Sequence, residues 1–261
     1  MSSIPTIGTA VVNSTYWVSK LIMSVDYPVD NFFIVNNNGR GELDAELENL
    51  KNLNKRFIKK ITIANLPGNI GCSGAWNLII KCFMNSPYWI IVSDDVTFGL
   101  GLLEEMATAA EADPTVGLIH GHSGDFSVGS WDLFLIRDHI IQEFGLFDEN
   151  LYPAYCEDVD YIMRFMHRPI KKIMSLSKMY YHGNHEKGGY NDHGKQTQKT
   201  DTDLAVKFDK SNSMNMEYLN KKWGDGWRVC APHPTPFNTA DMPVSHTSYD
   251  LAFLRKKHLG F

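Results

Sequence analysis

One stretch, Tyr88 to Phe98, constrains the fold more than any other part of the chain. It reads Tyr-Trp-Ile-Ile-Val-Ser-Asp-Asp-Val-Thr-Phe, an apolar run that leads into two adjacent carboxylates. The run from Tyr88 to Val92 has the length and the β-branched and aromatic content of a strand covered on both faces, which is typical of a parallel sheet between helices. Ligands of such sheets bind beyond the carboxyl ends of the strands. Asp94 and Asp95 therefore mark a candidate site.

The two aspartates allow two interpretations. Adjacent carboxylates are costly unless a cation lies beside them, and a divalent metal that carries a phosphorylated ligand would meet this need. Alternatively, the pair caps a helix that is predicted to begin near Gly101, because Asp is a favoured N-cap residue. These residues alone leave both interpretations open.

The length and composition predict one large domain with an appendage. A chain of 261 residues with 43% hydrophobic residues can bury the core of an α/β domain. We assign residues 1–224 to this domain. Residues 225–261 are predicted to form an extended arm, because four prolines exclude a long helix there. We expect the arm to pack on the domain or on a partner chain, which leaves a homo-oligomer open.

Charge and cysteine content limit the partners and the compartment. A net charge of −5 argues against general nucleic-acid binding. The four cysteines are widely spaced and form no Cys-x-x-Cys pair, which favours reduced thiols in a cytosol-like compartment. The sequence has no targeting pattern and no apolar run of about 18 residues. We therefore expect a soluble, cytoplasmic protein without a membrane span.

Polar loops follow the first three predicted strands. The strand Thr6 to Val12 leads into Asn13, and the strand Asn31 to Val35 leads into the run Asn36-Asn37-Asn38-Gly39. The strand Ile61 to Ala64 is followed by Asn69-Ile70-Gly71 and by a helix that carries Asn77. Glycine in such a turn permits close backbone approach, and the free N–H groups of the helix face the sheet edge. The turn matches neither the dinucleotide-binding fingerprint nor a phosphate-binding loop.

A second group of acids opens a predicted helix further along the chain. Asp160 and Arg164 form an i,i+4 pair, and acids in a first turn are favoured by the helix dipole, so a structural account exists. This account leaves Glu157 and Asp158 unexplained. A carboxylate that is partly shielded by the aromatic rings of Tyr152 and Tyr155 is suited to act as a general base.

A histidine follows the last predicted strand, Lys171 to Tyr181. His182 could join a metal that is bound by carboxylates, although a single histidine is more often structural. The segment Glu186 to Thr202 has no hydrophobic period and is predicted to be a mobile loop over the site. The aromatic side chains of Trp131, Tyr152 and Tyr155 could stack on a ligand or could belong to the core.

Taken in order, these motifs resemble the family 2 type of inverting glycosyltransferases with a GT-A fold. The resemblance covers about Thr6 to Trp223, and Ser93-Asp94-Asp95 is similar to the family's metal-binding Asp-x-Asp (DXD) element. Ser93 replaces the first acid of that element. The acceptor-side block of the family resembles the segment from Phe147-Asp148-Glu149 to Glu157-Asp158-Val159-Asp160 and Arg164, and Lys222-Trp223 matches a common ending of such domains.

The resemblance implies an α/β fold of the GT-A nucleotide-diphospho-sugar transferase type, with a mostly parallel central sheet flanked by helices. It implies that Asp95, with His182, holds Mn²⁺ or Mg²⁺, and that Asp158 is the general base. Glu157 would position the acceptor or would itself be the base. The nucleotide diphosphate sugar, expected to be a UDP-sugar, would be bound by residues of the loops and the paired acids: Val12, Asn13, Asn36, Asn69, Gly71, Asn77 and Asp94.

The expected activity is therefore transfer of a hexosyl or deoxyhexosyl group to an acceptor hydroxyl of a glycan, with inversion at the anomeric carbon. Two alternatives remain. A nucleotidyltransferase would also need acids at a sheet edge, but it should carry a glycine-rich, basic first loop, which Asn13-Ser14-Thr15 lacks. A non-catalytic nucleotide-sugar binding module would keep the fold and lose the transfer.

Overall fold

The structure is a computed structural model that describes residues 3–122, 131–166, 172–183 and 202–224. These residues form eight strands: β1 (Ile4–Val11), β2 (Val29–Asn36), β3 (Ile58–Asn65), β4 (Tyr88–Val92), β5 (Val96–Phe98), β6 (Val116–His122), β7 (Leu133–Arg137) and β8 (Lys172–His182). They also form seven helices: α1 (Thr15–Met23), α2 (Asp44–Leu50), α3 (Gly71–Cys82), α4 (Leu102–Ala112), α5 (Asp138–Phe144), α6 (Glu157–Met166) and α7 (Thr202–Trp223).

The strands form one mixed sheet in the order β3-β2-β1-β4-β7-β6-β8-β5. Strands β3, β2, β1 and β4 are parallel neighbours. β7 runs antiparallel to both β4 and β6, β8 runs parallel to β6, and β5 runs antiparallel to β8. The carboxyl ends of β1, β2, β3, β4, β6 and β8 therefore share one edge of the sheet with the amino ends of β7 and β5. We call this edge the carboxyl edge.

The sequence predicted most elements within a few residues. The strand Tyr88 to Val92 is confirmed at its predicted bounds, and every side chain in it is buried, as expected for a central strand. Two features differ. β5 is a separate short strand within what the sequence suggests is one apolar run. Leu43, Leu47 and Leu50, spaced four and three apart, predict a helix from Glu42 to Leu53, whereas α2 covers only Asp44–Leu50. A short helix fits the local sequence, because its N-cap residue, Leu43, makes no side-chain capping hydrogen bond.

The sheet is covered by helices on both faces, as a buried parallel sheet requires. One core cluster joins the sheet to α1, α2 and α4 through residues such as Leu21, Leu47 and Met106. The other joins the opposite face to α3, α5 and α6. A close approach is needed on this second face, since a Cβ on Gly8 of β1 would lie 2.4 Å from Ile79 of α3. A third, smaller cluster packs α7 against α6.

The predicted loop Glu186 to Thr202, apart from its last residue, and the predicted arm 225–261 lie outside the described residues. In the part of the chain that is described, no helix combines the length and the apolar character needed to cross a membrane.

Candidate active site

The carboxylate of Asp95 and the imidazole of His182 meet at the carboxyl edge. Asp95 Oδ1 lies 3.0 Å from His182 Nε2, and the two side chains are 6% and 8% exposed. The register of the sheet explains the contact, because Val96 at the start of β5 pairs with His182 at the end of β8. The main chain reinforces it, since Gly183 N donates to the carbonyl of Asp95 over 2.9 Å. The structure therefore joins the two residues predicted to hold a metal.

The alternative interpretation of the two aspartates as a helix cap is wrong. Strand β5 separates them from α4, whose N-cap residue is Gly101. The amide of Gly101 donates instead to Asp26 Oδ2, over 2.6 Å. Asp94 and Asp95 are thus left at the carboxyl edge, where Asp94 is half-buried and its charge acts on His182.

Asp132 is a third acid at this edge, and sequence reasoning missed it. Its Oδ2 atom lies 3.3 Å from His182 Nδ1, and the hydroxyl of the buried Tyr180 donates to the same atom over 3.4 Å. Its carbonyl accepts from Ser93 N over 2.8 Å. The sequence does show an acid immediately before an apolar, strand-like run, which could have indicated Asp132 as a site residue. However, only the antiparallel direction of β7 brings that position to the carboxyl edge.

The acids around His182 perturb its pKa. Burial alone would lower the pKa of His182, but the hydrogen bond to Asp95 and the negative charges of Asp95, Asp132 and Asp94 raise it above its usual value. The surroundings of His182 therefore favour the protonated, cationic form of its imidazole. A divalent metal would experience the same negative field.

The second predicted acid group lies at the first turn of α6. Glu157 is buried, and its carboxylate accepts a hydrogen bond from the thiol of Cys72 near the start of α3. Burial and the negative charge of Glu157 both raise the pKa of that thiol, so it stays protonated. Asp158 is half-buried, and its Oδ1 accepts from Val159 N over 2.8 Å.

The environment of Asp158 suits a base. Burial raises the pKa of its carboxyl above the ordinary value, and the negative charge of Asp132 raises it further, although hydrogen bonds from backbone amides act in the opposite direction. A carboxylate with a raised pKa is a stronger proton acceptor. The negative charge of Asp132 acts on both Asp158 and His182, so the two predicted groups of residues lie within electrostatic range of the same acid.

The turn before α6 is held by the last described helix. Tyr155 and Cys156 both have φ near +75°, a backbone region that side-chain-bearing residues rarely adopt. Asn215 of α7, itself fully buried, donates to the carbonyls of Ala154 and Tyr155 over 2.9 and 2.8 Å. Such a conformation persists when its surroundings determine it. Asn215 therefore fixes the direction in which α6 begins.

A buried ionic network connects α7 to the acceptor-side block. Lys222 Nζ lies 2.7 Å from Asp148 Oδ2 and 2.7 Å from Asp160 Oδ1. Asp160 Oδ2 is 2.6 Å from the guanidinium of Arg164, and Trp223 Nε1 donates to Asp160 Oδ1 over 2.8 Å. The four charged side chains are almost completely buried. The resemblance of Asp148, Asp160 and Lys222-Trp223 to family motifs thus reflects a structural framework behind the site.

The three polar loops are joined by side-chain amides. Asn37 Nδ2 donates to the carbonyl of Gly71, and Asn37 Oδ1 accepts from Ile70 N over 2.8 Å. Asn38 Nδ2 donates to the carbonyl of Val12 over 2.8 Å. Asn36 is buried and donates to Asp44 Oδ1 over 2.7 Å. The loops form one connected wall, in which Asn36 already has protein partners.

Other predicted donor-binding residues have different surroundings. Asn69 Oδ1 accepts from Gly71 N over 2.8 Å, which closes the turn before α3. Gly71 has φ +78°, and a Cβ there would lie 2.8 Å from the ring of Tyr152. Asn77 is fully buried and bonds to both main-chain polar groups of Phe147. These contacts give Asn77 a role in positioning the acceptor-side block, and its contact with a nucleotide stays a prediction.

Asn13 differs from the other asparagines. Its Nδ2 atom is buried and has no hydrogen-bond partner among the residues that the structure describes. A buried amide without a partner costs free energy, so this group is suited to a ligand. Of the predicted stacking residues, Trp131 belongs to the core beside Phe134 and Phe147, whereas Tyr155 is 46% exposed.

The side chains at this edge fit a divalent metal that is also coordinated by a bound substrate. Asp95 supplies a carboxylate oxygen, a ligand that suits Mg²⁺ and Mn²⁺, and His182 supplies an imidazole nitrogen, a ligand typical of transition metals. The described residues contain no group of three acidic, histidine or cysteine side chains arranged to hold a metal. Two protein ligands are sufficient where substrate phosphates complete the coordination. The residues present therefore fit a metal that binds together with a diphosphate.

Comparison with solved structures identifies the fold. A mannosyltransferase from Pyrobaculum calidifontis, solved with GDP-Man and Mn²⁺, is similar with a TM-score of 0.54 and 13% identity, over 67% of this chain and 55% of that one. S. aureus TarS, solved with UDP-GlcNAc, is similar with a TM-score of 0.53 and 14% identity, over 71% of this chain and 61% of that one. The chain therefore has the predicted GT-A fold.

A curated protein is also similar in sequence. A galactofuranosyl glycosyltransferase from Leishmania donovani is 26% identical over 205 residues, which cover 74% of this chain and 44% of that protein. The chain thus spans less than half the length of this relative. No protein-family model matches the chain.

Proposed function

We propose that this protein is an inverting glycosyltransferase that moves a sugar from a nucleotide diphosphate sugar to an acceptor hydroxyl. One observation carries the proposal: Asp95 Oδ1 and His182 Nε2 lie 3.0 Å apart at the carboxyl edge of a GT-A sheet. Bound ligands of such sheets lie at this edge. The similarity to glycosyltransferases of different donor specificity supports the reaction class.

Asp95 and His182 would hold Mn²⁺ or Mg²⁺, which when bound supplies positive charge to the leaving diphosphate. Asp94 and Asn13 would contact the nucleotide sugar. Asn13 is favoured because its buried amide has no partner among the described residues. The proposed nucleobase is uracil, because uracil offers both a hydrogen-bond donor and a hydrogen-bond acceptor to a side-chain amide.

Asp158 would remove the proton from the acceptor hydroxyl. The acceptor oxygen would form its bond to the anomeric carbon as the bond to the diphosphate oxygen breaks on the opposite face, so the configuration inverts. The raised pKa of Asp158 supports its assignment as the base. Glu157 is buried against Cys72 and would orient the acceptor side of the site. A glycan is the proposed acceptor class.

The proposal is tested by incubating the chain with Mn²⁺ and a panel of donors, and by measuring the released nucleoside diphosphate. The panel should include UDP-activated galactofuranose, UDP-GlcNAc and GDP-mannose, because the similar proteins are named for or solved with these sugars. Release that depends on an added glycan acceptor and is lost in Asp158→Asn supports the proposal. Donor binding without release in any combination would indicate a binding module instead.

A further inference from the structure

The imidazole of His182 lies between two carboxylates that come from different strands. Its Nε2 atom faces Asp95 Oδ1 at 3.0 Å, and its Nδ1 atom faces Asp132 Oδ2 at 3.3 Å. The Asp95 side is the one that the proposed metal would occupy. Asp132 therefore stands behind the ring, as seen from that metal.

Asp132 is fixed independently of any ligand. Its main chain is held by the 2.8 Å hydrogen bond from Ser93 N, which extends the β4 and β7 pairing beyond Val92. Its carboxylate accepts from the hydroxyl of Tyr180, a fully buried residue that lies two positions before His182 on β8. Because hydrogen bonds fix both its main chain and its carboxylate, Asp132 can orient a neighbouring ring.

The position of Asp132 does not suit a direct ligand. Among the described residues, no three acidic, histidine or cysteine side chains are arranged to hold one metal ion. Asp132 therefore does not join Asp95 and His182 as a third ligand of a common cation. A histidine that binds a metal through one nitrogen commonly donates its other N–H to a carboxylate, which fixes its orientation and tautomer. The carboxylate of Asp132 lies on the Nδ1 side of the ring, at an ion-pair distance of 3.3 Å that does not meet hydrogen-bond geometry in this structure.

We infer that Asp132 is a positioning residue whose carboxylate, on the Nδ1 side of the ring, orients His182 so that Nε2 faces the metal beside Asp95. This inference rests on the proposed function for the presence of a metal. The inference also bears on Ser93, which replaces the first acid of the Asp-x-Asp element. Asp132 lies opposite Ser93 on the neighbouring strand, is joined to it by a main-chain hydrogen bond, and supplies a carboxylate to the same edge.

The test measures Mn²⁺ binding to the full chain by electron paramagnetic resonance in the presence of UDP or GDP, whichever raises the melting temperature more. Nitrogen modulation in the spin-echo signal reports a coordinated histidine and should disappear in His182→Ala. We expect Asp132→Asn to weaken Mn²⁺ binding about 10-fold to 100-fold, the usual effect of losing such a partner. Asp132→Glu should restore part of the affinity.

Asp30→Asn is the matched control, because Asp30 lies near the start of β2, away from the carboxyl edge, and bonds to Ser3. Melting without metal checks that each variant folds. Unchanged Mn²⁺ affinity and nitrogen modulation in Asp132→Asn would overturn the inference and leave the metal site intact. Absence of Mn²⁺ binding to the unaltered chain would overturn both. Normal binding behaviour without sugar transfer would contradict the proposed function alone.

Discussion

Asp95 Oδ1 lies 3.0 Å from His182 Nε2, although Asp95 follows β4 and His182 is the last residue of β8. β4 and β8 are not neighbours in the sheet, and the contact arises because the short strand β5 pairs with β8 immediately after Asp95. The contact brings the proposed metal ligands together before any ligand binds. The remaining proposed groups are arranged around this pair.

The assignment of the base predicts different effects for two neighbouring acids. Asp158→Asn should lower the transfer rate about 10²-fold to 10⁴-fold, the usual contribution of a general base, and should leave donor affinity nearly unchanged. Glu157→Gln should retain more activity than Asp158→Asn. Both are measured by steady-state kinetics and donor titration, with the exposed helix residue Glu104 changed to Gln as the control. The reverse order of effects would assign the base to Glu157.

The pKa of Asp158 predicts how the rate depends on pH. A base acts when it is deprotonated, so kcat/KM should fall as the pH falls through the pKa of Asp158 in the free enzyme. Burial and the charge of Asp132 raise this pKa, and the acid limb should therefore lie above the ordinary Asp value of about 4. A pH–rate profile measures the limb. An acid limb at or below about 4 would contradict the assignment.

The buried network predicts a large cost for removing Lys222. In Lys222→Met, the carboxylates of Asp148 and Asp160 lose a partner at 2.7 Å. Breaking a buried ion pair by removing one member typically costs about 3–5 kcal/mol, because a buried charge is left uncompensated. Urea unfolding measures the loss. The neighbouring Lys221→Met is the control, since Lys221 is exposed, and equal losses in the two variants would contradict the network.

The same network predicts a loss of stability in acid. Burial would raise the pKa of Asp160, but Arg164 and Lys222 lower it to about 2. A lowered folded-state pKa gives stability that is complete above the unfolded value of about 4 and is lost as the pH falls towards about 2. The free energy of unfolding should fall across this window. Lys222→Met should show a shallower fall, and an equal slope in both proteins would argue against the coupling.

The sequence predicted the α/β sheet and the position of Asp94 and Asp95 at its carboxyl edge, because both depend on local patterns. A buried strand followed by Asp94 and Asp95 indicates a site at a sheet edge, whatever the detailed topology. Asp132 could not be found in this way. It precedes its strand, and it reaches the carboxyl edge only because β7 runs antiparallel to β4, which the apolar run Leu133–Arg137 does not encode.

The roles of some predicted residues also depended on tertiary contacts. Asn77 belongs to a motif associated with the donor loop, but its amide is fully used by the main chain of Phe147 and by the carboxylate of Glu149. Asp148 and Lys222 are far apart in sequence, so their 2.7 Å contact cannot be deduced from spacing. The residues of a family motif can therefore hold the framework of the site in place without contacting a ligand themselves.

In the proposed site, Asp95 holds a metal through which the nucleotide sugar is bound. The most direct measurement is the melting temperature of the chain with each donor, with and without Mn²⁺, for the unaltered protein, Asp95→Asn and the control Asp30→Asn. A ligand at 100 times its Kd adds about 2.7 kcal/mol of stability, which such a measurement resolves. We predict a donor-specific, Mn²⁺-dependent rise in the unaltered protein and the control, and its loss in Asp95→Asn. An equal Mn²⁺-dependent rise in Asp95→Asn would contradict the claim.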